Sequence, residues 1–248
     1  MTQSKIEWTE RVWNPTIGCR KVSSGCKNCY AELFAKRLQA MGARDYRDGF
    51  QFKMLPHRLG EPFKLKKPTK FFVNSMSDLF YEEISFAFLD RVFDVIKNTP
   101  QHIYQILTKR DGVMVDYFSK REIPQNVWLG VSVENGSAKA RIDSLRKVEA
   151  KVRFVSFEPL IGSIGKINLS GIHWAIVGGE SGMKARLMKK EWAEEIFYQC
   201  QQQGVAFFFK QWGTWGEDEV KRNKKLNGRT FLNKEWNEYP LNMKWRMA

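Results

Sequence analysis

Long apolar runs are missing from this 248-residue chain, which removes the case for a membrane-spanning helix of about 20 residues. The start, Met1-Thr-Gln-Ser-Lys5, has no apolar core of the kind a secretory signal needs, so the expected location is the cytoplasm. Cysteine is scarce at four residues, and in a reducing compartment clustered thiols point to metal rather than to disulfides. No complete phosphate-loop signature is present, which leaves Gly178, Gly179 and Gly182 as a weak signal for a phosphate cradle. Acidic residues are in deficit, 27 against 41 lysines and arginines, for a net charge of +14. That balance favours a polyanionic partner, nucleic acid first, although an ordinary solvated lysine face gives the same count.

What the chain does have is a concentration of thiols. Cys19, Cys26 and Cys29 fall within Cys19-Arg-Lys-Val-Ser-Ser-Gly-Cys26-Lys-Asn-Cys29, a Cys-x-x-Cys pair joined by a third prong across a loop. Structural zinc wants four protein ligands. The candidates for a fourth are Cys200, His57, His102 and His173, none at a finger or ribbon spacing, and Cys200 reads more simply as a buried small residue. A four-iron cluster held by three cysteines needs no fourth side chain and keeps one iron open, so it ranks ahead of zinc.

The rest of the chain repeats one unit, a short apolar strand ending in polar residues and followed by a helix-like segment. Ile6-Glu-Trp-Thr-Glu-Arg-Val-Trp13 reads as the first strand, and a helix begins just after Cys29. Six more strands follow: Lys70-Phe-Phe-Val-Asn-Ser75, His102-Ile-Tyr-Gln-Ile-Leu107, Val127-Trp-Leu-Gly-Val131, Val152-Arg-Phe-Val155, Ile172-His-Trp-Ala-Ile-Val177 and Val205-Ala-Phe-Phe-Phe209. Strands alternating with helices pair in parallel, and strands this apolar are buried on both faces. The expected fold is therefore α/β, a full or partial (β/α) barrel of about seven parallel strands. Its ligands belong at the C-terminal ends of the strands. Residues 43–69 form a long polar connection in which His57 and Arg58 take no assigned role.

The barrel is expected to occupy residues 1–213 and a C-terminal extension residues 214–248. Asn227-Gly228, flanked by short strand-like pieces, predicts a type I′ hairpin there. Trp236, Tyr239 and Trp245 either cap the fold or form a basic stacking surface.

Several blocks carry a closer resemblance: Trp13-Asn-Pro, Gly25-Cys-Lys-Asn-Cys-Tyr-Ala-Glu32, Phe72-Val-Asn-Ser-Met-Ser-Asp-Leu-Phe80, Leu107-Thr-Lys109, Trp128-Leu-Gly-Val-Ser-Val-Glu-Asn135, Ser156-Phe-Glu-Pro159, Val177-Gly-Gly-Glu-Ser-Gly182 and Phe209-Lys-Gln-Trp-Gly213. Together they resemble the phage-associated three-cysteine-motif family, whose function is unsettled. The cysteine loop itself is similar to a variant radical S-adenosylmethionine motif. It differs in having six residues between its first two cysteines, and Tyr30 after the third cysteine where the usual motif has an aromatic before it. The looser resemblance implies a [4Fe-4S] cluster on Cys19, Cys26 and Cys29, with S-adenosylmethionine chelating the open iron. An external donor would reduce the cluster, and sulfonium cleavage would yield a 5′-deoxyadenosyl radical that abstracts hydrogen from substrate.

By position, the resemblance places Ser77 and Asp78 near the amine of S-adenosylmethionine, Ser132 and Glu134 near its ribose, and Lys109 near its carboxylate or a substrate phosphate. It leaves Ser156, Glu158, Glu180, Lys210 and Gln211 for substrate. Joined to the charge, it implies base modification or lesion repair on nucleic acid. The alternative is a non-catalytic nucleic-acid-binding protein with a structural metal.

Overall fold

The computed structural model describes residues 2–4 and 6–240. Seven strands run parallel and pair in the order in which they occur: β1 (Arg11–Trp13), β2 (Lys70–Val73), β3 (Ile103–Thr108), β4 (Val127–Ser132), β5 (Val152–Phe157), β6 (Trp174–Gly178) and β7 (Ala206–Gln211). Consecutive order with crossovers on one side curves the sheet into a partial (β/α) barrel. The barrel does not close. The edge of β1 is taken by Thr2–Gln3, paired antiparallel to it. The edge of β7 is covered by the chain returning at Asn237, where Phe209 N–H donates to Trp236 O and Glu238 N–H donates to Phe207 O.

The helices are α1 (Tyr30–Ala40), α2 (Phe86–Lys97), α3 (Asp111–Phe118), α4 (Ala140–Arg146) and α5 (Lys190–Gln203). α2 follows the rule for a core-facing helix. Ser85 caps its N-terminus by accepting from Phe88 N–H, and Phe88, Leu89, Val92, Phe93, Val95 and Ile96 are buried. α5 stops at Gly204, which takes φ +66° as a helix C-terminus requires. Between β5 and β6 the chain has no helix longer than a turn, in keeping with Ile161-Gly-Ser-Ile-Gly165.

Strand alternation divides the core into two layers. Tyr104, Ile106, Leu129, Val131, Val155, Phe157, Phe207 and Phe209 face the helices. Phe72, Ile103, Trp128, Phe154, Trp174, Ile176 and Phe208 fill the inside of the curve. The first-strand expectation needs correction here, because only Arg11–Trp13 of residues 6–13 is strand. Trp8 instead turns into the barrel, 2% exposed, edge-on to Phe72 and Trp174. Burying an indole inside the curve outweighs extending a strand at the sheet's edge.

The extension also differs in detail. Its two-residue turn is Leu232–Asn233, with φ +48° and +64°, between the strands Thr230–Phe231 and Lys234–Glu235. Asn227 and Gly228 end a single helical turn, and the Asn227 side chain donates to Gly213 O and Thr214 O. Trp236 packs on Phe197, and Tyr239 stacks on Trp174, so these two rings cap the fold. Trp245 lies outside the described residues.

Candidate functional site

The cysteine loop begins where the chain leaves β1. Thr16–Ile17 pairs with Lys53–Met54, so the polar connection 43–69 is partly structured and forms one wall of the site. At Gly18 the backbone has φ +77°, and an added Cβ would stand 2.1 Å from Gln51 O, so no other residue fits. Gly18 N–H donates to Met76 O, and Ser77 Oγ donates to Gly18 O at 2.6 Å. The loop is thereby fixed to the end of β2 one residue before Cys19.

From there the loop lies across the C-terminal ends of the strands and is held after β3, β4 and β6. After β3, Arg110 donates to Arg20 O at 3.0 Å and sets its positive charge near the Cys19 thiol, which itself donates to Arg20 O at 3.3 Å. After β4, Glu134 Oε1 accepts Gly25 N–H at 3.2 Å, and Asn135 donates to Ser24 Oγ at 3.1 Å. After β6, Glu180 accepts from Asn28 at 3.0 Å, and Arg186 donates to Ser24 O at 2.8 Å. A 3₁₀ turn at Ser24–Cys26 brings Gly25 against the Glu134 carboxylate, where a Cβ would meet it at 3.0 Å.

The anchoring side chains are themselves buried and paired. Asp78, 6% exposed, accepts from Phe80 N–H, Thr108 Oγ1, Lys109 N–H and Arg110 Nη1. Arg110 also reaches Glu82 at 2.8 Å and lies over the Tyr81 ring. Glu134, fully buried, pairs with Arg141 at 2.8 Å, and Glu180 is clamped by Arg186. Charged groups this deep persist only when paired, so each strand end is built around its anchor. Arg110, Arg141, Arg186 and Asn28 are not legible as site residues in the sequence. Arg110 follows directly on Lys109, and only burial distinguishes the two.

Cys19, Cys26 and Cys29 line one cleft of about 780 Å³, together with Phe52, Tyr81 and Glu32. All three are free thiols and partly exposed. Burial pushes the Cys19 thiol up to about 11 against the pull of Arg110. Burial also raises Cys26, but hydrogen bonds from the Val22 and Ser23 backbone, with the Lys109 charge, leave it below its usual value. Thiolate ligands form readily beside cations and hydrogen-bond donors.

Among the described residues, no three His, Cys, Asp or Glu side chains converge closely enough for a single ion. The residues weighed as a fourth zinc ligand are engaged elsewhere. Cys200 is buried in the helix-facing core, and His57 faces Asp45. His102 packs edge-on to Phe71, and His173 Nδ1 accepts Arg153 N–H. Glu32 and Glu83 line the cleft but are paired with Lys21 and Arg20. Three thiols around one cleft with cations behind them fit a cluster, which seats each cysteine on its own iron, better than one ion.

A second constellation sits at the ends of β5, β6 and β7. Lys210 Nζ is 2.9 Å from Glu158 Oε1, and Ser156 donates to Glu158 Oε2. Gly178 leaves the room, since a Cβ there would be 2.5 Å from Glu158 Oε1. Tyr30 Oη donates to Ser75 O at the end of β2. Ser132 is buried one strand over, in register with Ser156. Gln211 turns aside to Gly179 O and Ser181 Oγ. Gly179 is a packing glycine, its Cβ position 1.9 Å from Trp212 O, and its N–H donates to Gln211 O.

Residues 3–240 match the family described as "Protein of unknown function (DUF5131)". No curated protein matches. Among solved structures, the chain is similar to a cysteine-to-serine mutant of spore photoproduct lyase, with 14% identity and TM-score 0.51 over 82% of this chain and 64% of that one. It is also similar to a spore photoproduct lyase double mutant "with bound AdoMet and dinucleoside spore photoproduct", with 13% identity and TM-score 0.50 over the same shares. The chain thus spans less than two thirds of those proteins, and at this identity the likeness is one of fold.

Proposed function

The chain belongs to the family of unknown function DUF5131, and from that premise we propose an iron–sulfur, S-adenosylmethionine-dependent radical enzyme that modifies or repairs nucleic-acid bases. One observation carries the reading: three thiols on the loop after β1 line a single cleft at the ligand edge of a partial (β/α) barrel. The shared fold with a protein whose solved complex holds AdoMet and a dinucleoside spore photoproduct supports it. The net charge of +14 supports a phosphate-bearing substrate.

Cys19, Cys26 and Cys29 are the cluster ligands in this proposal. When bound, a three-cysteine [4Fe-4S] cluster and S-adenosylmethionine supply the reductive sulfonium cleavage whose 5′-deoxyadenosyl radical takes hydrogen from substrate. Arg110 and Lys109 place positive charge behind the thiolates. Ser77, Asp78, Glu134 and Glu180 hold the loop in register, since their polar groups are engaged by the loop or by its anchors. Ser132 and the ammonium of Lys109, which forms no ion pair among the described residues, remain for S-adenosylmethionine. The Ser156–Glu158–Lys210 set offers a substrate one cationic donor and one anionic acceptor within the barrel mouth.

Anaerobic reconstitution with iron and sulfide tests this. The expected product is a brown protein that cleaves S-adenosylmethionine to 5′-deoxyadenosine under dithionite and binds DNA or RNA with steep salt dependence. Iron uptake without cleavage would favour a structural metal in a nucleic-acid-binding protein. A colourless zinc protein would end the cluster reading.

A further inference from the structure

The acids at the strand ends divide into two kinds. Asp78, Glu134 and Glu180 are engaged by the cysteine loop or by its anchors. Glu158 is not, and pairs instead with Lys210 at 2.9 Å, the two side chains being 14% and 19% exposed. Ser156, fully buried, donates to the second carboxylate oxygen at 3.2 Å. Gly178 yields the space in which the carboxylate lies. One oxygen is therefore turned to Lys210 and the other to Ser156, and each keeps a lone pair, while the ammonium keeps two of its three N–H groups.

What this pair can read follows from its charge. The ammonium and carboxylate cancel, so a phosphate drawn to Lys210 would also meet Glu158. An uncharged edge with donors and acceptors side by side suits the pair better, and a nucleobase presents such an edge once it leaves the stack. The pair also lies near the cysteines. Tyr30, the residue after Cys29, donates its hydroxyl to Ser75 O at 2.5 Å and stands within electrostatic reach of both Cys29 and Glu158.

Resting on the reading that the substrate is a nucleic-acid base, we propose that Glu158 and Lys210 select guanine by its Watson–Crick edge. Guanine offers two adjacent donors, N1–H and N2–H, to the two carboxylate oxygens, and O6 to the ammonium. No other standard base completes this set. Adenine and cytosine present one donor beside an unprotonated ring nitrogen, and that nitrogen would face the second carboxylate oxygen lone pair to lone pair. Thymine and uracil present one N–H flanked by carbonyls, with the same conflict. A buried acceptor left without its donor is what makes such a site selective.

The test uses the reconstituted full chain, a short fluorescent oligothymidylate carrying one central guanine, and competing strands in which that base is adenine, cytosine, thymine, hypoxanthine or xanthine. Wild-type protein should bind the guanine strand about tenfold or more tighter than the adenine, cytosine and thymine strands. Hypoxanthine, which lacks the 2-amino group, should bind about fivefold more weakly than guanine. Glu158→Gln turns one acceptor into a donor, which matches the 2-carbonyl of xanthine. That variant should invert the order and prefer xanthine to guanine by about fivefold or more, a gain that a damaged site would not give.

Three results would overturn the proposal: equal binding of all strands by the wild type, hypoxanthine bound as well as guanine, or a folded Glu158→Gln protein with no gain for xanthine. Should that variant not fold, the wild-type base series decides alone. Protein that binds no strand at low salt fails the nucleic-acid reading and this proposal together. Protein that selects guanine yet cleaves no S-adenosylmethionine fails the radical reading alone, because base selection is read by binding.

Discussion

Glu134 lets the anchoring of the cysteine loop be measured without any metal. Its side chain is 1% exposed, takes the Gly25 N–H at 3.2 Å and meets Arg141 at 2.8 Å, with Asp111 at 3.9 Å the next acid near that guanidinium. Glu134→Gln keeps the volume and an oxygen for Gly25 but gives up the charge, which costs about 2 kcal/mol as a charge-assisted bond becomes a neutral one. Glu134→Ala leaves Arg141 buried without its main partner, a loss of about 3–5 kcal/mol. For a chain of this size about 2–4 °C of Tm accompany each kcal/mol. The two variants should therefore melt about 4–8 °C and about 6–20 °C below wild type in calorimetry of the metal-free protein. Exchange at the Gly25 amide should accelerate in both. Equal melting within about 0.5 kcal/mol, or a Gly25 amide as protected as before, would show that the loop is not held from β4.

Arg110→Met should cost about 3–5 kcal/mol by stranding Asp78, and should slow the reaction of the Cys19 thiol with a disulfide reagent, because the thiolate loses the cation that favours it, which a thiol titration reads. Gly178→Ala should displace the Glu158 carboxylate from Lys210, costing about 1–3 kcal/mol, with the broken pair visible in a crystal structure of the variant. Burial holds His102 below its ordinary 6.5, so the unfolded chain takes up the proton first as pH falls. Stability from that group is complete above pH 6.5 and lost as pH drops from there through the depressed folded value. Denaturant titrations of His102→Gln across that window should show a flatter slope than wild type, and an unchanged slope would mean that the imidazole is free to charge in the fold.

The parallel strands are legible because six of them are runs that bury both faces, such as Val127–Ser132, where all six residues are buried. The first is not, because Trp8 keeps a strand's alternation while serving as a plug, and sequence periodicity cannot separate an indole on a strand from one beneath it. The three cysteines are visible as a set, since their spacing is local and their placement on one cleft follows from it. The anchors are only half visible. Asp78, Glu134 and Glu180 stand at strand ends in the sequence, but their partners Arg110, Arg141 and Arg186 differ from the chain's other arginines only in what they bury against. The hairpin forms at Leu232–Asn233 rather than at Asn227-Gly228. The latter carries the stronger local signal, but the Asn227 side chain is claimed by Gly213 and Thr214.

A sheet that stops short of closing has two raw margins, and each is a template on which another chain can polymerise. In this protein the first margin is sealed by Thr2–Gln3, within a dozen residues of the strand it protects, and the second by residues 236–238, some 25 to 30 residues beyond theirs. Neither seal waits for a distant segment. Protection at both ends therefore costs little loop-closure entropy and arrives early in folding. Synthesis exposes the last margin only for the time needed to add those few residues, so truncation just before Trp236 should yield a chain that self-associates through β7 while its cysteine cleft stays intact.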